Sequence, residues 1–418
     1  MEIPDAAAAT LSSPAESPRA SARKSLIFVL GALTVIGPFA IDMYLPALPQ
    51  IGTDLGVDVG QVQLTLSVFL IGLALGQAFL GPIVDRFGRR MPLLVGLVVF
   101  VIACAGCAKA ESMGALLAWR LIMALGSAAT MVVPRAVVRD LFNQRESAKM
   151  YSVLMLILGV SPIFAPTLGG FMIEAMGWRE IFWVLAALGV ACGVAVVTSL
   201  PDSSAASRPK TIGVGLALRT YWTLIKDPRF LGATLVAGFM IGTIFTYLSG
   251  SAFVFIELHA LTPQQYAIAF GVNGSGMILA SQVNRWLLNR YRVGHILTAA
   301  LVASAVVGAA LVVHALTGWG GFPVMMTLLF LNLSVTGFVG PNIGAIAMAP
   351  FGRVAGSASA LLGTIQFGVG ALAGGLVGLL HNGTAMPMAI GIAACALVSW
   401  LVWQTMVRAQ VMAAPPSN

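Results

Sequence analysis

Asp42 is the only acidic residue set firmly inside an apolar run, within Phe39-Ala-Ile-Asp42-Met-Tyr44-Leu-Pro46-Ala-Leu-Pro49. A carboxylate in low-dielectric surroundings exchanges its proton at a cost set by its neighbours, which suits proton uptake and release. Arg120 is the second charge in an apolar stretch. An arginine near the centre of a membrane helix costs ~2.5–3.5 kcal/mol on insertion scales, so it needs a cavity or a carboxylate. Three readings of Asp42 are open: a proton site, a permanent partner of Arg120 at similar depth, or a cap at the interface. For Arg120 the alternative is snorkelling to the outer surface, roughly 10 Å from a helix start near Met113. Ser127 and Thr130 continue the face of Arg120 as a polar stripe.

Other chemistry finds little support. Cys104 and Cys107 form a CxxC, but no second pair or His-rich segment accompanies it, and small buried cysteines are ordinary in apolar helices. His295, His314 and His381 fall near expected helix ends with no ligand spacing, and Glu257 reads as interfacial. No pair of carboxylates, Ser/His arrangement or His cluster is visible, so the sequence predicts no enzyme, no metal site and no cofactor.

Three longer motifs point to a moving membrane protein. Gly81-Pro-Ile-Val-Asp85-Arg86-Phe-Gly88-Arg89-Arg90 places two spaced glycines around a carboxylate. Gly81 allows close helix approach and Gly88 a tight turn. Asp85 at a helix C-terminus opposes the dipole and needs a positive partner. The segment resembles the signature loop of the major facilitator superfamily. That resemblance implies a switch contact formed by Gly81, Asp85, Arg86, Gly88, Arg89 and Arg90 with the start of helix 11 and nearby arginines. Arg120-Leu-Ile-Met-Ala-Leu-Gly126 resembles the helix-4 motif of the same superfamily, whose arginine is linked to proton coupling; Met123 stands where glutamine is usual. Ser161-Pro162-Ile-Phe-Ala165-Pro166-Thr-Leu-Gly169-Gly170 resembles the antiporter motif of helix 5. Pro166, Gly169 and Gly170 match it, and Ser161 and Ala165 replace glycines.

Asp42–Pro49, Arg135-Ala-Val-Val-Arg139-Asp140, Gly177–Phe182, Tyr247–Phe253 and Ala355–Gly363 are similar to the bicyclomycin-resistance (Bcr/CflA) subfamily of drug:proton antiporters. The resemblance spans residues 42–363. It implies proton-driven export of bicyclomycin, and in some members chloramphenicol-type or sulfonamide drugs, from a bacterial cytoplasm. It adds Arg139 and Asp140 to the switch contact. It also implies a cavity lined by helices 1, 4, 7 and 10, with Phe39, Met123, Ser127, Thr130, Thr243, Tyr247, Asn332 and Thr336 as candidate substrate contacts and Asp42 and Arg120 as the proton-coupling pair. Export or symport of a metabolite such as an amino acid is the competing transport reading.

The elements that must hold these residues follow from composition. The chain is 58% hydrophobic and 9% charged, too few charges to cover a soluble domain. At ~20 apolar residues per crossing, spans are expected near 25–46, 61–83, 91–109, 112–134, 150–176, 179–200, 229–257, 264–287, 293–316, 321–349, 355–380 and 384–407. Of the 23 Lys and Arg residues, all but Lys109, Arg179 and the membrane-embedded Arg120 fall on one side if both ends are cytoplasmic; this asymmetry sets orientation. It also accounts for the net charge of +8 without a nucleic-acid partner.

The expected fold is therefore an all-α membrane protein of twelve helices in two pseudo-symmetric six-helix bundles, a monomer in the bacterial inner membrane whose partners are drugs, protons and lipid. Its segments are a disordered tail 1–24, a bundle 25–200, a linker 201–228, a bundle 229–407 and a tail 408–418. Val84-Asp85-Arg86 recurs as Val283-Asn284-Arg285, and Tyr44-Leu45 as Tyr247-Leu248, at offsets of 199 and 203 residues. In that register Phe245 takes the place of Asp42, so proton handling is expected in the first half and drug-facing surface in the second.

Overall fold

The computed structural model describes residues 20–141, 144–200 and 214–413. Twelve long helices are present among them: α1 Ala20–Asp42, α2 Val59–Phe87, α3 Arg90–Ala108, α4 Met113–Leu141, α5 Gln144–Ala175, α6 Trp178–Ser199, α7 Pro228–Ala252, α8 Pro263–Leu287, α9 Val293–Thr317, α10 Gly321–Met348, α11 Ala355–Leu379 and α12 Met386–Val402. Eleven are long and apolar enough to cross a membrane. The exception is α8, at 25 residues. It carries Gln264, Gln265, Asn273, Gln282 and Asn284; its neighbours bury Asn273 and Asn284, as polar groups at membrane depth require, while Gln265 and Gln282 are exposed. The helices turn apolar side chains outward, as with Phe79, Val194 and Leu372 at 54%, 60% and 71% exposure.

Local signals fix the ends. Gly88 ends α2 with φ +85°, a value that favours glycine. Thr262 and Gln265 form a capping box before α8, with Pro263 in its first turn, and Asp227 caps α7 ahead of Pro228. α1 stops at Asp42, and prolines 46 and 49 open a 3-10 turn Leu45–Ala47 and a short helix Leu48–Leu55. That short helix is tied to α6, because Trp178 Nε1 and Arg179 Nη1 both donate to Asp54 Oδ2, at 2.8 and 3.2 Å.

Packing reveals the repeat more fully than the sequence does. In the first half α1 packs on α4, α5 and α6, α2 on α4, and α3 on α4 and α6. In the second half α7 packs on α10, α11 and α12, α8 on α10, and α9 on α10 and α12. Every pair recurs six helices later. The two principal contacts between halves, α2 with α11 and α5 with α8, exchange under the same operation. This is the two-fold pseudosymmetry of parallel six-helix repeats.

Both seams use small residues. A Cβ on Gly60 would lie 2.5 Å from the Gly378 carbonyl, and one on Gly378 would lie 2.7 Å from that of Gly60. Gly271 and Gly274 of α8 lie against Ile163 and Pro162 of α5. Such contacts let backbones approach closely where lipid supplies no hydrophobic drive for association.

Candidate functional site

Two of the buried charges, Asp42 and Arg120, gather at the end of α1. A helix leaves its last carbonyls without partners, and its C-terminus favours positive charge. Arg120 of α4 meets both needs. Its Nη1 donates to the Ala40 carbonyl at 2.8 Å, and its guanidinium lies 4.2 Å from the Tyr44 ring centre and 4.3 Å from that of Phe69. Desolvated contacts of this kind contribute about 2 kcal/mol each. Tyr44 is held in turn by a hydroxyl–hydroxyl bond to Thr65, whose Oγ1 donates to the Val62 carbonyl at 2.6 Å. Arg120 is 0% exposed, so it does not snorkel. Among the described residues its Nε and Nη2 meet no hydrogen-bond acceptor of good geometry, which leaves a buried cation only partly satisfied.

Asp42 occupies the same helix end with the sign the dipole disfavours. It is 5% exposed, and no hydrogen bond or ion pair reaches its carboxylate among the described residues. Asp42 and Arg120 therefore share a helix end without forming a salt bridge. The segment just beyond Asp42 meets the second half, where residues Leu45–Ala47 pack on α7 and α8 as well as on α5. Tyr247 Oη accepts from Asn273 Nδ2 at 3.0 Å, its ring stacks on Phe270, and the Tyr266 and Ser251 hydroxyls are 3.1 Å apart. The chain that follows Asp42 thus packs on the two helices that carry this phenol and amide network.

The remaining candidates separate into different places. Met123 is buried with its Sδ 3.9 Å from Arg120 Nη1. Ser127 is buried with an unpartnered hydroxyl beside Gly37 of α1, and Thr130 donates to the Ser127 carbonyl at 2.8 Å, so the α4 stripe faces α1. Phe39 is half-buried. In the second half Thr243 donates to the Met240 carbonyl at 2.7 Å. Asn332 bonds Ser304 of α9, a contact inside the bundle. Thr336 lines a cavity of about 190 Å³ between α7, α8, α10 and α11, bounded by Met240, Ile244, Met277, Ile343 and Gln366 among others. Small-molecule pockets are usually roughly 300–1,000 Å³, so a drug-sized ligand requires these helices to part.

The helix-5 motif acts at the same joint. A Cβ on Gly169 would overlap the Met43 carbonyl, and one on Gly170 would lie 3.1 Å from that of Pro263. The paired glycines let α5 close on the end of α1 and the start of α8 together. In the loop motif, Gly81 meets Ala360 of α11, Arg89 is buried, and Arg90 Nη2 donates to the Val197 carbonyl at 2.8 Å. The side chains of Asp85, Arg86, Arg139 and Asp140 lie outside the described residues, as do positions 1–19 and 414–418 of the tails. Sequence reasoning missed Thr65, Phe69, Asn273, Tyr266 and Gln366. Asn273, a lone amide in an apolar stretch of α8, carried the clearest signal.

The departure at Met123 has a measurable consequence. Glutamine there supplies a carbonyl to the unsatisfied guanidinium at nearly equal side-chain length. A net gain of about 1 kcal/mol is expected from one added bond to a charged group, read as a higher melting temperature for Met123→Gln in detergent. An unchanged or lower value means that Arg120 is already content with its aromatic and backbone partners.

The profile described as Major Facilitator Superfamily matches residues 30–375. Over 378 residues the chain is 33% identical to a protein named uncharacterized MFS-type transporter YdgK of Bacillus subtilis, covering 89% of this chain and 92% of that one. Over 383 residues it is 31% identical to the bicyclomycin resistance protein homolog of Haemophilus influenzae, covering 90% and 94%. Among solved structures, a D-xylose-proton symporter superposes with a TM-score of 0.74 over 92% of this chain and 98% of its own, at 13% identity. A likeness at that identity concerns the fold.

Proposed function

Given that the chain belongs to the Major Facilitator Superfamily, and is thus a multi-pass membrane transporter, we propose that it is a proton-coupled antiporter exporting small lipophilic drugs across the bacterial inner membrane. Bicyclomycin is the leading substrate, with chloramphenicol-type and sulfonamide compounds behind it. The observation that carries the reading is Asp42: a buried carboxyl group, without a hydrogen bond or ion pair among the described residues, at the point where the end of α1 meets both α5 and the second bundle.

That placement supports an alternating-access cycle. Residues 25–200 and 229–407 act as two rigid bundles joined by 201–228, with both termini in the cytoplasm and the monomer as the working unit. Drug enters from the inside and spreads the apolar walls around Thr336, where two methionines adapt to varied shapes. A proton from outside neutralises Asp42, and Arg120 exchanges its contacts as the end of α1 shifts between α5 and α8. The bundles rock, and the loop contact around Asp85 re-forms when the inner side closes.

Export or symport of a metabolite such as an amino acid is the second reading. It is favoured by one observation, the unpartnered Nε and Nη2 of Arg120, whose fork geometry matches a carboxylate. Expression in an efflux-deficient bacterium separates the two. A several-fold rise in resistance to bicyclomycin or another panel drug is expected. An unchanged panel together with amino-acid counterflow in vesicles sinks the drug reading.

A further inference from the structure

Segment Val214–Lys226 falls in what hydropathy reads as a polar linker, yet it is helical and its faces differ. Tyr221 and Leu224 are buried against Phe230 of α7 and Ala358 and Leu361 of α11. Tyr221 Oη donates to the Ala78 carbonyl of α2 at 3.1 Å. The opposite face carries Arg219, Trp222 and Lys226, all exposed. Their spacing of three and four residues puts them on one side of the helix. The Trp222 ring is 60% exposed, and Lys226 Nζ lies 4.9 Å from its centre.

Three spanning helices fix the depth of this segment. α2 runs to Phe87 and meets its first charge at Asp85, two turns beyond Ala78. α11 begins at Ala355, which puts Ala358 and Leu361 in its first two turns. α7 begins at Pro228, two residues beyond Lys226. The starts of α7 and α11 mark the edge of the apolar layer at the end of the bundle where α1 starts and α12 ends, and Ala78 lies within two turns of it. A helix fastened there lies at the bilayer surface and turns its free face to the headgroups. Tryptophan is enriched at that depth, and lysine and arginine beside it are attracted to anionic lipid.

We propose that Arg219, Trp222 and Lys226 form a binding site for the phosphate groups of anionic phospholipids, the two cations pairing with phosphate and the indole anchoring at the interface. The buried face of the same helix bonds α2 of the first bundle and packs on α7 and α11 of the second, so the lipid is held at the seam between halves. The inference needs the membrane setting and not the transport reading.

The full-length protein in phosphatidylcholine vesicles tests it, with either brominated phosphatidylglycerol or brominated phosphatidylcholine at equal mole fraction. The signal of Trp222 is isolated from that of the chain's 8 tryptophans as the difference between the unsubstituted protein and Trp222→Phe. Quenching several-fold stronger with the anionic lipid is expected. It should fall to parity in Arg219→Gln/Lys226→Gln and, for the unsubstituted chain, at high ionic strength. Equal quenching by the two lipids in the unsubstituted protein overturns the proposal, and so does a preference that survives both the double substitution and salt. Because the preference is a ratio, a lower yield of folded variant leaves it unchanged.

Discussion

Asp42→Asn is expected to bring drug-driven proton release in proteoliposomes down to the level of empty vesicles, while the protein folds at least as well as before. Both halves of that expectation come from one geometry. The carboxylate is buried at a helix C-terminus with no hydrogen bond or ion pair among the described residues. In its charged form it pays desolvation without a counter-charge and lies against the dipole, a cost of several kcal/mol. The amide keeps the shape and carries no charge, so removing the ionisable group is expected to hold or raise thermal stability, by about 1–3 kcal/mol. A purely structural Asp42 predicts the reverse pattern, lower stability with coupling intact. Measuring melting temperature and proton release on one preparation distinguishes the two, and coupling that survives the substitution removes Asp42 from the mechanism.

The geometry also changes what Arg120 is for. Two opposite charges at similar depth invite a salt bridge, yet Arg120 spends Nη1 on the Ala40 carbonyl and lies against two aromatic faces. It serves as a cap for α1, and among the described residues its Nε and Nη2 have no hydrogen-bond partner. Any rearrangement of the last turn of α1 therefore moves the best partner Arg120 has. Coupling between Asp42 and Arg120 can run through the helix end they share, without direct contact.

Much of this was legible before the fold. Hydropathy marks twelve spans because lipid demands about 20 apolar residues per crossing whatever they pack against. α8 reads as a span despite Gln282 and Asn284, and the structure buries Asn284 with a bond from Asn342 of α10. The repeat was visible only at Val84-Asp85-Arg86 and Tyr44-Leu45, while the packing repeats at all the principal helix pairs, since small and apolar residues substitute for one another at such contacts without changing the fold. The site was harder to read. A side chain's depth follows from its position in a span, but its direction does not, and direction decides that Asn332 bonds Ser304 while Thr336 lines the cavity. The linker helix was missed for a related reason. Its exposed face is polar, and its apolar face becomes evident only against α2 and α11.

The helix-5 glycines give the second large effect, and it has a built-in control. Gly169→Ala adds one methyl group where the Met43 carbonyl already stands. A backbone oxygen cannot rotate away as a flexible side chain can, so α5 must retreat or the end of α1 must shift. Overpacking of this kind usually costs about 1–3 kcal/mol. Here the displaced segment also carries Asp42, so transport should fall with stability. Gly193 of α6 has nothing within 4 Å of its Cβ position, and alanine in a helix interior with free space around it is expected to gain about 0.5–1 kcal/mol over glycine. The same substitution 24 positions apart should therefore move the melting temperature in opposite directions. Gly170→Ala should fall between them, because its nearest contact of 3.1 Å is relieved by a shift of a few tenths of an ångström. If Gly169→Ala melts and transports like the unsubstituted protein, α5 does not close on the end of α1, and the joint that brings Asp42 to the second bundle is looser than its geometry indicates.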